Sequence, residues 1–360
     1  MSSCFRDATW LVRIEPGPGS GRTARHTLHR IHKKRAAQAK REHEQLCGDD
    51  RRDRGQLMCD TASPSCFTDD TSAFDTPARQ SDNSSDGDLQ RAEGSCRIVL
   101  GSSERGTRVM DVYQRSPIRV LFPRTAGTQV QEAVLVNTSG GIAGGDRLES
   151  SVTVMDKASI AVTTQAAEKV YRAINASAHI TTTLIARDAA KLAWLPQETI
   201  VFNRARVCRR TQIEVSSGSE LLALEWLVLG RAAHGEKISA GDIMDSWRVR
   251  KDGRLVWADT FRSTDQVFSH LSRKALLSDC AALATLLYFG PDLNERLQFI
   301  RDLASSLECQ CAATLVGGLM VVRFAAKVSC DLRAALRNLL QQFGDQLAPG
   351  PFRVPKMWSC

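Results

Sequence analysis

Five carboxylates stand where a carboxylate is costly or conspicuous. Glu225 lies inside residues 221–230, LLALEWLVLG, a run otherwise suited to full burial. A charged group there costs on the order of several kcal/mol unless it is paired or faces water. Asp146, Glu168, Glu236 and Asp259 occupy strand ends or turns in the same half of the chain. Two kinds of chemistry suit such a set. Two acids, Glu225 and Asp259, can divide the roles of general acid and general base. Alternatively, carboxylates and water are tolerable ligands for a divalent cation that must move on, whereas thiolates or several histidines would trap it. A plain ion pair is the simplest account of Glu225, with Arg231, six residues later, as the expected partner.

The densest local signal is residues 135–148, LVNTSGGIAGGDRL, where Gly140, Gly141, Gly144 and Gly145 fall within six positions. Glycines so close mark backbone at positive φ or in close approach. A strand-like run, residues 133–136, precedes them, so the block reads as a tight turn between strands that presents Asp146 toward a cavity. It is not a phosphate loop: Asp146-Arg147 follows Gly145 where the lysine and hydroxyl would stand. The dinucleotide fingerprint is missing as well, and an acid beside the turn repels phosphate.

Other reactive groups give little. No G-x-S-x-G is present, and only His179, His234 and His270 lie in the β-rich region, so no Ser-His-Asp set is legible. Cys309-Gln310-Cys311 lacks a second ligand pair for a structural metal, and buried inert thiols are the default. His26, His29 and His32 have a spacing that suits nickel, but Arg25, Arg30 and residues 33–35, KKR, oppose a cation.

The elements that position the acids read mainly as β. SSVTVMD, SIAVTT and HITTTLIA carry β-branched residues and are separated by turns. Pro196 breaks KLAWLPQETIVF. Residues 211–230 read as a strand, a turn and a buried strand, and residues 246–261 as a hairpin turning at Asp252-Gly253. Many short strands suggest stacked sheets. The last ninety residues are more helical: residues 272–289 begin as a helix and end in a strand, 294–307 have helical spacing, and 309–326 pair around Gly317-Gly318. The clearest helix is residues 331–347, with Leu332, Leu336, Leu339 and Leu340 on one stripe.

The 360 residues carry a net charge of +8 and are 42% hydrophobic, which suffices for a sizeable core. No apolar run is long enough for a transmembrane helix. The eleven cysteines are irregularly spaced, so a reducing cytoplasm is expected rather than a disulfide framework. The character changes near residue 90. Residues 1–41 are basic, with only Asp7 and Glu15 as acids, and residues 42–90 turn acidic and polar. Residues 1–88 therefore read as a low-complexity, disordered extension, with a helix around residues 29–47, and residues 89–360 as one domain. The extension has three readings: a solvated tail, a start codon placed upstream of the real protein, or a basic targeting or binding segment. Nucleic-acid binding through residues 22–41 is weakened by their lack of aromatics.

From SPIRVLFPR at 116–124, the chain continues through the glycine block, TTQAAEKVYR at 163–172 and WLPQETIVF at 194–202. LEWLVLGRAAHGE at 224–236, DSWRVRKDGRLVWAD at 245–259, VVRF at 321–324 and RVPKMW at 353–358 follow. Each piece alone is weak, but in this order they resemble the UreD (UreH) family of urease accessory proteins. The resemblance implies a β-helix-like stack of sheets with a few C-terminal helices. It implies a non-enzymatic nickel-insertion chaperone that bridges apo-urease and a complex of the accessory proteins UreF and UreG, with room for a homodimer in that complex. It also implies a water-filled tunnel lined by acids and hydroxyls, with nickel in transit rather than a catalytic cofactor.

By position in the family's motifs, Asp146 follows the double-glycine turn as the family's acid does. Glu225 and Asp259 match acids in their strands, and Glu236 matches the acid of GR-x-x-x-GE. Glu168 stands where the family has a small or polar residue, and Thr164 supplies a hydroxyl. Lys169, Arg172 and Arg231 are then expected to pair with acids inside the fold or at a partner surface. The tail departs from the family pattern, with Lys356-Met357 in place of an arginine and an aliphatic residue.

Overall fold

The computed structural model describes residues 91–123, 131–268, 270–347 and 350–359. The three-histidine cluster, the helix expected around residues 29–47 and the basic segment 22–41 lie outside the described residues.

Seventeen strands form two sheets among the described residues. The first sheet contains β1 (Glu93–Ser103), β2 (Gly106–Arg115), β5 (Arg147–Val154), β8 (Ala178–Ala186), β11 (Arg206–Val215), β13 (Asp242–Lys251) and β14 (Arg254–Ser263). Its order is β14-β13-β11-β8-β5-β1-β2. The second contains β3 (Ile118–Leu121), β4 (Gln131–Asn137), β6 (Ser159–Thr164), β9 (Lys191–Trp194), β12 (Glu220–Leu229), β15 (Ala282–Phe289), β16 (Gln310–Val316) and β17 (Leu319–Ala326). The short strands β7 (Glu168–Val170) and β10 (Thr199–Val201) pair beside it.

From β4 to β13 the chain winds between the sheets. β5, β8, β11 and β13 stack in parallel on one side, and β4, β6, β9 and β12 stack in parallel on the other. The parallel pairs β7–β10 and Ile142–Val170 make a narrow third side. This is the β-helix-like stack expected from the ladder of short strands. Antiparallel strands close both ends: β2 beside β1, and β15, β17 and β16 beside β12.

Two apolar layers hold the stack. One lies between the sheets, where alternate residues such as Ile98, Val152, Leu184, Ile213 and Val249 point inward. The other lies outside the second sheet. Here α2 (Leu293–Ala304) and α3 (Ser329–Gln346) cover Leu222, Leu224, Trp226, Leu286 and Val322. The expected stripe of Leu332, Leu336, Leu339 and Leu340 is fully buried in this second layer. Strand β12 is covered on both faces, which accounts for its unbroken apolar run.

The hairpin forms as expected, with Asp252 and Gly253 both at positive φ between β13 and β14. Residues 272–281, expected to open as a helix, form turns instead. Ser278 and Asp279 take positive φ, and the following run is drawn into the sheet between β12 and β17. One further short helix, α1 (Asp265–Phe268), follows β14.

Candidate functional site

Strand alternation puts an arginine in the middle of the apolar interior. In β11, Val207, Arg209, Thr211 and Ile213 face inward, and Arg209 is only 3% exposed. Its register partner in β13 is Asp245, which shares the inward face with Ile243, Trp247 and Val249. Arg209 Nε and Nη2 donate to the two Asp245 oxygens at 2.9 and 2.7 Å, a bidentate pair. Nη1 crosses to the opposite sheet, donating to Glu225 Oε2 at 2.7 Å and to Thr199 Oγ1 at 3.1 Å. The other Glu225 oxygen accepts from the Trp194 indole Nε1 at 2.8 Å.

Burial works against the Arg209 charge, but Asp245 and Glu225 together outweigh it and hold its pKa above the ordinary value. Burial pushes Glu225 upward and the nearby Asp245 adds to that, while Arg209 and the Trp194 hydrogen bond pull it down. The expected partner of Glu225, Arg231, is not its partner. Strand β12 ends at Leu229 and Gly230 turns at positive φ, so Arg231 leaves the sheet. It pairs with Glu236 instead, at 2.8 Å.

Two interior cavities meet at this cluster, because Arg209 and Glu225 line both. The smaller, about 280 Å³, runs past Ser150, Thr164, Thr182, Gln197 and Thr199 to Glu168. Gln165, Lys169 and Gly140 also line it and are exposed, so it reaches the surface on the narrow side of the stack. The larger, about 560 Å³, runs past Asp245 and Thr285 to Arg323, Lys274 and Gln310. Glu225, Thr285 and Arg323 are register partners on three adjacent strands, a polar row across the inner face of the second sheet.

The five acids named from the sequence separate. Glu225 lies at the junction. Glu168 lines the smaller cavity, where both its oxygens accept from Asn137 Nδ2 at 3.1 Å and burial raises its pKa. Asp259 lines neither cavity but pairs at 2.7 Å with Arg323, which lines the larger one. Glu236 lies outside the stack, where Arg231 holds its pKa low.

Asp146 does not point into a cavity. Its oxygens accept the backbone N–H groups of Ala92 at 2.9 Å and Ala143 at 2.7 Å, so it ties the glycine turn to the start of β1. That turn is tight for a local reason. A Cβ on Gly144 would sit 2.5 Å from the Ala176 carbonyl, and one on Gly141, at positive φ, would collide with the Tyr171 ring. Glu225 and Asp259 are held by different arginines and do not converge on one pocket, so the paired-carboxylate arrangement is not formed. Among the described residues, no three His, Cys, Asp or Glu side chains cluster as a metal site.

Sequence reasoning passed over Arg209, Asp245 and Arg323. A signal for the first two was present: counting by twos through RVCRRTQIEV and DIMDSWRV places each among inward apolar residues. The C-terminal tail docks despite its altered residues. Trp358 is buried, donates to the Leu195 carbonyl at 3.0 Å and stacks on Trp226 at 5.8 Å. Arg333 holds this corner, donating to Gln197 and Glu198 at 2.7 Å each.

The described residues contain no helix long and apolar enough to cross a membrane. Residues 92–359 match the family model described as UreD urease accessory protein. A protein named Urease accessory protein UreD from Xanthobacter autotrophicus is 39% identical over 270 residues, covering 75% of this chain and 91% of that relative. Its namesake from Rhizobium leguminosarum bv. viciae is 38% identical over 270 residues, covering 75% and 96% of the two chains. The one from Brucella suis is 37% identical over 280 residues, covering 77% and 98%.

Proposed function

The chain belongs to the UreD family of urease accessory proteins, and on that premise we propose that it is a non-enzymatic chaperone that passes nickel toward apo-urease in the cytoplasm. In this reading it bridges apo-urease and a complex containing UreF and UreG, and hydrolysis of GTP belongs to UreG. The observation that carries the reading is the meeting of two interior cavities at the buried polar cluster of Arg209, Glu225 and Asp245, with further polar side chains set into their largely apolar walls. Hydroxyls and carboxylates spaced along a confined path bind a borderline divalent ion without trapping it. Glu168, Glu225 and Asp245 are the acids on this path, with Thr164, Thr182 and Thr199 as hydroxyl stations. Asp259 acts through Arg323, and Asp146 and Glu236 support the turn and the outer surface.

Arg209 sits across the junction, and a cation is repelled by the guanidinium it must pass. Transit therefore requires Arg209 to swing into one of the cavities it lines, freeing Glu225 and Asp245 to face the ion.

The test is urease activity together with nickel per urease in cells lacking their own UreD. They receive either the full chain or a version starting at residue 89. Both versions are expected to restore activity and nickel content. Failure of both, with soluble protein and a urease-matched host, would remove the chaperone reading.

A further inference from the structure

One wall of the smaller cavity is fastened from outside the stack. Residues 164–168 form an arc from the end of β6 to the start of β7, and all of them line the cavity. Gln165, in this arc, is exposed at the mouth. Two consecutive residues between β9 and β10 tie the arc at both ends. At one end the Gln197 side-chain amide donates to the Gln165 carbonyl at 2.8 Å, and the Gln197 backbone N–H donates to Thr164 Oγ1 at 2.9 Å. At the other, the Glu168 N–H donates to the Glu198 carbonyl at 2.8 Å.

Gln197 and Glu198 are held in turn by the outer layer. The second amide hydrogen of Gln197 goes to the Met357 carbonyl in the C-terminal tail, at 3.0 Å. Its oxygen accepts from Arg333 of α3 at 2.7 Å, and the Glu198 carboxylate accepts from the same nitrogen at 2.7 Å. Gln197 is only 7% exposed, so both hydrogens and the oxygen of its amide are spent on these ties. They reach 32 residues back in the chain and 160 forward. Trp358, beside Met357, anchors the tail through the Leu195 carbonyl, and the Arg333 guanidinium lies 5.7 and 6.0 Å from the Trp226 and Trp358 ring centroids. Met357 enters the tie through its carbonyl, so the tie is indifferent to the side chain at that position.

We propose that the docked tail is a strap on the cavity wall, and that Gln197 is a positioning residue for cation passage. With the tail in place, Gln197 is pinned into the wall and the arc carries Glu168 at a fixed position. With the tail released, Gln197 loses the Met357 acceptor, its amide turns into the cavity it lines, and the arc slackens. Gln197 is thus the one side chain whose two arrangements both the tail and the mouth bias. The positioning role rests on the nickel-delivery reading, whereas the link between tail and arc does not.

Three variants of the full chain test the strap. Trp358→Ala frees the tail, and Gln197→Met keeps the side-chain volume while removing the ties. Ile300→Ala trims a buried residue of α2 in the same outer layer that makes none of these bonds. Amide exchange is read at Gln165, whose N–H donates to the Leu135 carbonyl, and at Glu168. Nickel per urease is read in cells lacking their own UreD. Trp358→Ala and Gln197→Met are each expected to speed exchange at both amides by about tenfold, the scale of one or two lost hydrogen bonds, and to lower nickel per urease. Trp358→Ala added to Gln197→Met is expected to give no further rise, since the link is already cut. Ile300→Ala is expected to lower the urea midpoint and leave local exchange and delivery unchanged. Exchange at Gln165 unmoved by Trp358→Ala, or raised equally by Ile300→Ala, would overturn the strap. Faster exchange with delivery intact would overturn the positioning role. A wild type that delivers no nickel would remove the delivery reading and that role with it, while the exchange data still decide the link.

Discussion

Glu225 and Trp226 are consecutive residues of β12, both almost fully buried, and they face opposite layers of the molecule. Trp226 points outward onto Trp358 and the helices, where contact is broad and apolar. Glu225 points inward to a cation, an indole N–H and two cavities. The outer layer is held by many weak contacts, so any one of them can be trimmed at limited cost. The inner cluster is held by few strong ones, and removing a single member strands the others. A folded protein has no need of such a cluster for stability, since apolar replacements of buried ion pairs are often neutral or better. Its retention in the middle of a cavity system points to use.

The largest effect is expected from Arg209→Met. It leaves Asp245 and Glu225 buried without their cation, and the loss is about 3–5 kcal/mol, read as a lowered midpoint in urea unfolding. A triple variant, Arg209→Met with Glu225→Gln and Asp245→Leu, removes the stranded charges and keeps an acceptor for Trp194. It is expected to recover most of the stability yet fail to restore nickel to urease. Recovery of both stability and delivery would make the cluster purely structural.

On the outer face, Trp358→Ala removes the stacked ring and the bond to Leu195. The expected cost is about 3 kcal/mol, at the lower end for a buried aromatic, because the tail that carries it can detach without opening the sheets. Native-state hydrogen exchange separates the two variants. Trp358→Ala should raise exchange in the tail and α3, whereas Arg209→Met should raise it in β11, β12 and β13. Equal exchange patterns would break the contrast between the layers.

Much of this architecture was legible because local patterns agreed with the tertiary result. The β-branched runs of β5, β6 and β8, the Asp252-Gly253 turn and the leucine stripe of α3 each had one physical reading, and each formed. Glu225 stood out because a charge in an apolar run is a local anomaly. Its partner could not be found the same way. Arg209 lies 16 residues earlier, on the opposite sheet, and only the winding of the chain brings the two together. The nearer Arg231 was a false choice because Gly230 turns the chain out of the sheet first. Asp146 shows the same limit: its position after the glycines was plain, but its bond to Ala92 is a contact across 54 residues. Residues 272–281 misled for another reason: alanine and leucine favour helix, but Ser278 and Asp279 take positive φ and turn the chain before the strand that starts at Ala282.

The finest comparison is between Glu168 and Glu225, since among the described residues Glu168 forms no salt bridge like the one that joins Glu225 to Arg209. Among the described residues the side-chain hydrogen bonds of Glu168 come from Asn137, and burial raises its pKa in the folded state against the pull of Asn137 and Lys169. A raised carboxylate pKa means that the folded chain holds its proton after the unfolded chain has released it. Stability is then lost as pH rises from the ordinary glutamate range through the folded pKa, and is constant above it. Glu168→Gln cannot ionise, so its stability relative to wild type should rise across that window and level off at higher pH. Urea midpoints for both proteins, taken at intervals from pH 4 to about 8, where the ordinary value lies at the lower end, would show it. The same variant should slow nickel delivery at neutral pH, where the wild-type group is free to ionise toward an arriving cation. A flat stability difference with unchanged delivery would return Glu168 to the role of a packing residue and leave Glu225 and Asp245 as the acids on the path.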